Sequence, residues 1–229
     1  ARPAAEGEIR ADVAVVGGGF TGLSAALHLA RRGYDVALLE ASRVASGASG
    51  RNGGQVGTGQ RVGQDVLERM VGRDDALALW AMGREAVRLV REFAGHPDVA
   101  VPFHEGIVHA DHKRAHVRET HAYAEKLARD YGYERMRPLS KAEIREMVAS
   151  PAYHRGAVDE GAGHLDPLAY ALGLARLAEK AGVRIFETSR VQRIEPGAEV
   201  AVRTGAAVVR APWAVLGCNG YLGRLAPEV

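Results

Sequence analysis

Apolar and polar positions change period along the chain, and the changes mark out its elements. An apolar run, Val13-Ala14-Val15-Val16, precedes a glycine turn; Leu23, Ala26, Leu27 and Ala30 then recur at helical spacing. This predicts a buried parallel strand feeding a helix packed on a sheet. Arg31 and Arg32 suit the negative end of that helix, and Gly33 is placed to stop it. Asp35-Val36-Ala37-Leu38-Leu39-Glu40 predicts a second short strand, whereas residues 1–10 predict no element. Residues 64–94 predict one helix with Leu79, Met82, Ala86, Leu89, Val90 and Phe93 on one face, broken at His96-Pro97-Asp98. Residues 99–103 and 106–110 predict two strands joined by a turn at His104-Glu105-Gly106. A helix over 112–131 follows, with Val117, Ala124, Leu127 and Tyr131 inward. Ser140 and Glu143 have the spacing of a capping box opening a short helix. Asp166 reads as an N-cap before Pro167, and Leu168, Leu172, Ala175, Leu177 and Ala178 line a helix that ends at Gly182. Strands are predicted at 183–186 and 189–194, then a hairpin (200–203 with 208–210), then a run from Trp213 to Gly220.

The turn after the first strand has the spacing Gly-x-Gly-x-x-Gly at Gly17, Gly19 and Gly22. Gly17 allows the tight turn, Gly19 lets a pyrophosphate approach the backbone, and Gly22 lets helix and strand pack closely. Phe20 and Thr21 open the helix, whose N-terminal N–H groups and dipole favour phosphate. Glu40 ends the second strand at the distance expected of an acid that accepts hydrogen bonds from an adenosine ribose. Strand, turn, helix, strand and acid agree, and together they predict a dinucleotide site.

Composition narrows the class. The chain has 229 residues, enough for a substantial core in one large domain or two small ones. Its net charge is +2 with the signs interspersed, which argues against a nucleic-acid surface. No apolar stretch is long enough to span a bilayer, no signal-peptide pattern is read, and Cys218 is the only cysteine, so a cytoplasmic location is expected.

Residues 41–55 (Ala41, Ser42, Arg43, Val44, Ala45, Ser46, Gly47, Ala48, Ser49, Gly50, Arg51, Asn52, Gly53, Gly54 and Gln55) lack periodicity and are rich in small, hydroxyl and amide side chains. Composition alone allows a linker; directly after a dinucleotide unit, it predicts backbone folded closely on a flat polar ligand. The run from Asp12 to Gln55 resembles the D-amino acid oxidase/glycine oxidase superfamily of FAD enzymes, and its Gly-Arg-Asn-Gly-Gly-Gln segment most resembles gamma-glutamylputrescine oxidoreductases and their relatives. The resemblance implies an α/β fold: a Rossmann-like FAD-binding domain of the glutathione-reductase type with an inserted α+β substrate domain. Its FAD segments would be 9–98 and 164–229, flanking a substrate segment at 99–163, with a C-terminal part missing because family members continue well past this length.

By the same resemblance, Ser46 to Gln55 run along the pyrophosphate, ribityl chain and flavin edge, and Val191 occupies the position whose backbone reads the adenine. Gly217, Cys218 and Asn219 form a second glycine turn near the ribose and pyrophosphate. Some relatives tether flavin through a histidine in this loop; Arg51 stands at the aligned position, so noncovalent FAD is expected. The implied reaction is oxidation of an amine or amino acid at a carbon–nitrogen bond, with hydride passing to flavin, imine hydrolysis and reoxidation by oxygen. Expected partners are the small substrate and a complementing chain or second copy. A flavin-binding module without turnover, or an NAD-linked dehydrogenase, are the competing classes.

No catalytic residue is named. Arg51 and Asn52 are open to facing the flavin or anchoring the loop, and His164 to facing the substrate or bridging as a buried imidazole. His104, His109, His112, His116 and His121 crowd one region, with His112 and His116 one helical turn apart. No third ligand has metal-site spacing and Lys113 and Arg114 would repel a cation, so no metal is expected. Cys218 reads as a small filler at a strand end, and Trp80, Trp213 and Tyr221 as packing residues.

Overall fold

The computed structural model describes residues 2–226. In chain order its elements are β1 (Gly7–Arg10), β2 (Val13–Val16), α1 (Phe20–Arg31), β3 (Val36–Leu39), β4 (Gln55–Val56), α2 (Gln64–Val71), α3 (Arg73–Ala94), β5 (His104–Asp111) and α4 (Arg114–Tyr131). There follow β6 (Met136–Leu139), α5 (Lys141–Val148), β7 (Arg155–His164), α6 (Pro167–Lys180), β8 (Arg184–Phe186), β9 (Arg193–Glu195), β10 (Val200–Arg203), β11 (Ala207–Ala211) and β12 (Trp213–Leu216). They form two compact units, described separately.

The first unit comprises the residues up to Gly53, Ala94–Val101 and the residues from Asp166 onward. Its parallel sheet has the order β12-β2-β3-β8. Every residue of β2 and β3 is buried, as their unbroken apolar runs require. Ala14, Val16, Ala37 and Leu39 face a second sheet, packing with Val202, Val209 and Ala211. Alternation sends Val13, Val15, Val36 and Leu38 to the opposite face, where α1 packs and buries Leu23, Ala26 and Leu27. Each large aliphatic side chain so buried contributes about 1.5–3 kcal/mol. The helix stops as read from sequence, with Gly33 at φ +90° just past its end.

The second sheet, β1-β11-β10-β9, corrects one expectation. Residues 7–10 are not a structureless lead-in; they pair parallel with β11, Ile9 opposite Val209. The strand expected at 189–194 is confined to β9, and Val191 is buried before it begins. The strand expected at 99–103 is absent as well. Val99 packs on Gly173 of α6, where a Cβ would come within 2.5 Å of it, and Arg176 of α6 donates to the Asp98 carbonyl at 3.0 Å.

The second unit comprises Gly54–Phe93 and Pro102–Leu165. Residues 54–93 therefore pack here, not with the first unit as the sequence boundaries had it. The reason is Trp80, which is buried with Leu127, Tyr131, Tyr133, Met136 and Ala157. The single helix expected at 64–94 is two, because Gly72 at φ +85° ends α2. The inward face of α3 is set by Ala76, Trp80 and Val87, and Met82 is exposed. The sheet is antiparallel, β4-β7-β5 with β6 also on β7. The expected turn at His104–Gly106 lies inside β5: Gly106, at φ +91°, marks a bulge opposite β7 and the strand runs on. Two caps form as read. Ser140 and Glu143 exchange hydrogen bonds at the start of α5, and Asp166 accepts from the Ala169 N–H at the start of α6.

Candidate functional site

The end of β2 and the start of α1 place Gly17, Gly19 and Gly22 in one turn. Gly17 has φ +106°, and a Cβ there would lie 2.8 Å from the Gly217 carbonyl oxygen. A Cβ on Gly22 would lie 1.9 Å from the Gly17 carbonyl oxygen, so helix and strand can approach only if residue 22 has no side chain. Gly19 caps α1 with extended backbone and no side-chain cap of its own. A Cβ there would meet only the Ser49 side chain, whose hydroxyl accepts from the Phe20 N–H at 3.1 Å. Thr21 is exposed at the same helix end.

Glu40 follows β3 directly and serves two backbone donors: Oε2 accepts from Gly18 N–H at 2.7 Å, Oε1 from Ser42 N–H at 2.8 Å. The segment Ala41-Ser42-Arg43 is exposed. Behind it, Ala45 N–H donates to Gly18 O at 3.0 Å, and Thr188 N–H to Ser42 O at 2.7 Å. Sequence reasoning missed a second acid here. Buried Glu187, just past β8, accepts from the Val44 N–H at 3.0 Å and from Arg2 through both backbone N–H and guanidinium. The signal available in the sequence is that Glu187 follows the predicted strand at 183–186 as Glu40 follows 36–39. In the structure Leu39 pairs with Phe186, so both acids end adjacent parallel strands at the edge where ligands of α/β sheets bind.

Burial alone would raise the Glu187 carboxyl, but the N–H groups of Val44 and Arg2 and the Arg2 charge outweigh it and hold the group below its ordinary value. A depressed folded value gives stabilisation that is complete above the unfolded value, about 4.3 for a glutamate. That stabilisation is lost as pH falls through the folded value. Glu187→Gln is expected to flatten the acid limb of the stability curve, read as urea midpoints between about pH 5 and pH 3. An identical acid limb in the variant would show that the charge does not hold Val44.

Beyond the acid, the loop is ordered, with a short 3-10 turn at Ala48–Gly50. Arg51 Nε donates to Ser46 O at 2.7 Å, and Asn52 Nδ2 donates to Ala48 O and Ser49 O at 3.1 and 2.9 Å. Both side chains thus anchor the loop's own backbone, and Gly47 lies beside the Tyr221 ring. Gly53 ends the first unit. Gly54 and Gln55 belong to the second, where Gly54 O accepts from Leu165 N–H and Gln55 pairs with His164.

The second glycine turn packs against the first. Gly217 N–H donates to Val16 O at 2.8 Å, the Cys218 thiol donates to the same oxygen at 3.4 Å, and Asn219 adopts φ +49°. Burial, then the nearby Glu40 charge, pushes the Cys218 thiol up, which suits a filler and not a nucleophile. Val191 is buried with Ala14 and Val202.

Two readings need correction. His164 is not a buried bridging imidazole: it is exposed on β7 and stacks on His104, ring centroids 5.1 Å apart. Trp213 and Tyr221 are not packing residues, being 69% and 72% exposed, while Trp80 is. His112 and His116 meet edge-on at 6.0 Å; among the described residues no group of three or more metal-ligating side chains comes together.

Residues 12–229 match the family described as FAD-dependent oxidoreductase (DAO). The chain is 40% identical over 226 residues to a protein of Rhizobium meliloti named "Probable oxidoreductase OrdL", covering 98% of this chain and 53% of that one. It is 37% identical to the gamma-glutamylputrescine oxidoreductase of Escherichia coli, covering 96% and 52%. The fold is that of glycine oxidase from Geobacillus kaustophilus, with a TM-score of 0.80 at 23% identity, covering 96% of this chain and 58% of that one. The chain spans about half the length of the curated relatives it matches. No helix among the described residues is long and apolar enough to cross a membrane. The group the family implies is FAD, and the first unit fits it: the Gly17–Gly22 turn packs glycine to glycine against Gly217 at a helix N-terminus, and a carboxylate ends the adjoining parallel strand. On the match over residues 12–229 and these relatives, the chain belongs to the DAO family of FAD-dependent oxidoreductases.

Proposed function

We propose that this chain serves the oxidation of a carbon–nitrogen bond in an amine or amino acid, with the first unit holding FAD noncovalently and the second contributing to the substrate side. The observation that carries the reading is the Gly17–Gly22 turn with Glu40 at the end of β3, in a chain of this family. When bound, flavin supplies an acceptor for hydride from the carbon next to the substrate nitrogen. The chain's own groups bind and orient. The backbone of Gly17, Gly19, Phe20, Thr21 and Gly22 would receive the pyrophosphate, and Glu40 with Ala41, Ser42 and Arg43 the ribose. Ser46 to Gln55, stiffened by Arg51 and Asn52, would follow the ribityl chain and flavin edge, with Val191 and Gly217, Cys218 and Asn219 around the adenosine half. Neither histidine nor cysteine occurs in the 46–55 loop, which supports noncovalent attachment. A relative named gamma-glutamylputrescine oxidoreductase supports an amine as substrate, and the lone cysteine supports a cytoplasmic setting.

Two measurements test this. Adding an amine panel to the flavoprotein without oxygen should bleach the flavin bands with at least one amine. Bands unchanged by every amine would favour a binding module without turnover. Acid precipitation should release the flavin to the supernatant, and flavin retained in the pellet would overturn noncovalent binding.

Glu40 offers a sharper test of the binding residues. Glu40→Ala removes the acceptor of two backbone N–H groups, and hydrogen bonds to charged groups contribute about 1.5–3 kcal/mol. FAD affinity is expected to fall by about 10- to 100-fold in a fluorescence titration of apoprotein. Wild-type affinity in the variant would remove Glu40 from the site.

A further inference from the structure

The second unit carries a cleft of about 400 Å³ whose lining is dominated by arginine. One stripe of α3 supplies Arg84, Arg88 and Arg91 at helical spacing, and Arg135 lines the cleft beside Tyr133 and Thr58. Glu85 is the one acidic residue of the lining.

The arginines differ in what already holds them. Arg88 is taken up by Glu85, at 2.6 and 2.8 Å, and by Glu92 at 2.7 Å. Arg84 has no carboxylate partner among the described residues; its guanidinium lies over the Tyr133 ring, 5.6 Å from the centroid. Arg135 donates to the Glu160 carbonyl at 2.9 Å and likewise has no carboxylate. Arg91 sits over the Phe103 ring at 4.9 Å, and Glu105 is 3.4 Å from one Nη. That contact is not aligned as a hydrogen bond: Arg91 Nε and that Nη are closed to solvent with no acceptor. Closed-off guanidinium donors without an acceptor are costly and rare in native proteins. The Tyr133 ring is meanwhile fixed by its hydroxyl, which donates to buried Asp159.

We propose that this cleft is an anion site, taking a small molecule with carboxylate or phosphate groups. The guanidinium fork matches both oxyanions in paired hydrogen bonds, which is the chemistry they share. Such a ligand would pair with exposed Arg84 and Arg135, which have no carboxylate partner among the described residues, and add negative charge beside Arg91. The lining residues belong to the second unit and the glycine turns to the first, and the proposal does not depend on the reaction proposed above.

Calorimetric titration of the FAD-loaded protein with citrate and, separately, with pyrophosphate tests the site and distinguishes the two chemistries. Saturable binding of at least one probe is expected, weakening as salt is raised. Arg84 and Arg135 are exposed, so the double variant R84Q/R135Q should fold normally. It should bind the probe at least about tenfold more weakly, with its flavin spectrum and its response to amines unchanged. R84K/R135K, which keeps the charge, should fall between the two and guards against a folding defect in the glutamine pair. No saturable heat with either probe, or undiminished binding in R84Q/R135Q, would overturn the proposal. Failure of amine bleaching with probe binding intact would count against the oxidation reading alone.

Discussion

Gly22→Ala is expected to abolish FAD binding and to destabilise the first unit by about 3 kcal/mol, the upper end for forcing a methyl into a filled core. The Cβ would sit 1.9 Å from the Gly17 carbonyl oxygen and 3.4 Å from a Val15 methyl. The first of these is backbone, so no rotamer change relieves the clash; α1 must lift off β2. Lifting it displaces the helix N-terminus and the turn that closes on Gly217 together. The neighbouring glycines give a graded control. Gly17→Ala meets the Gly217 carbonyl at 2.8 Å and also needs φ +106°, so its cost should approach that of Gly22. Gly19→Ala meets only the end of the Ser49 side chain, and about 1 kcal/mol or less is expected. Urea unfolding and FAD titration of the three variants check the ranking. A Gly22→Ala protein that binds FAD normally would refute the close packing of helix on strand as the basis of the site.

The second large effect is expected in the other unit. Asp159 on β7 is buried and accepts from Thr58 Oγ1 at 2.6 Å, from the N–H groups of Gly161 and Ala162 at 3.0 and 3.2 Å, and from the Tyr133 hydroxyl. Asp159→Ala leaves these donors without their shared acceptor inside the protein. Removing one partner from a buried charged network costs about 3–5 kcal/mol. Tyr133→Phe removes one donor and leaves the carboxylate with three, so about 1 kcal/mol is expected. The Tyr133 hydroxyl itself stays protonated through the ordinary pH range, since burial and then the Asp159 hydrogen bond both push it up. Chemical unfolding of the two variants, followed by the fluorescence of Trp80 beside Tyr133, reads the difference. Equal losses for the two would mean that packing of the ring, not the carboxylate, organises this core.

These two predictions rest on residues of different legibility. The close packing at Gly22 is legible in the sequence because its parts are neighbours: strand, turn and helix lie within twenty residues, and their spacing encodes the geometry. Glu40 is legible for the same reason, as the acid one strand further on. Asp159 is not. Its donors come from Thr58, 101 residues away, and Tyr133, 26 away, and no local pattern announces that they meet. Glu187 was half legible, since its place after a parallel strand mirrors that of Glu40, but its role depends on Arg2, 185 residues distant.

The same physical line separates what each level determined. By itself the sequence established the family, the dinucleotide turn, the α1 and α6 helices with their ends, and the two side-chain caps, because all of these are written in contacts between near neighbours or in motifs. Tertiary structure alone decided that residues 7–10 form an edge strand on β11, that Gly106 bulges a strand instead of turning it, and that residues 54–93 join the second unit. It also decided that Arg51 and Asn52 hold their own loop and that His164 lies exposed against His104. Each of those outcomes turns on a partner remote in sequence or on which of two allowed surfaces is covered, and hydrophobic period and local propensity carry no information about either.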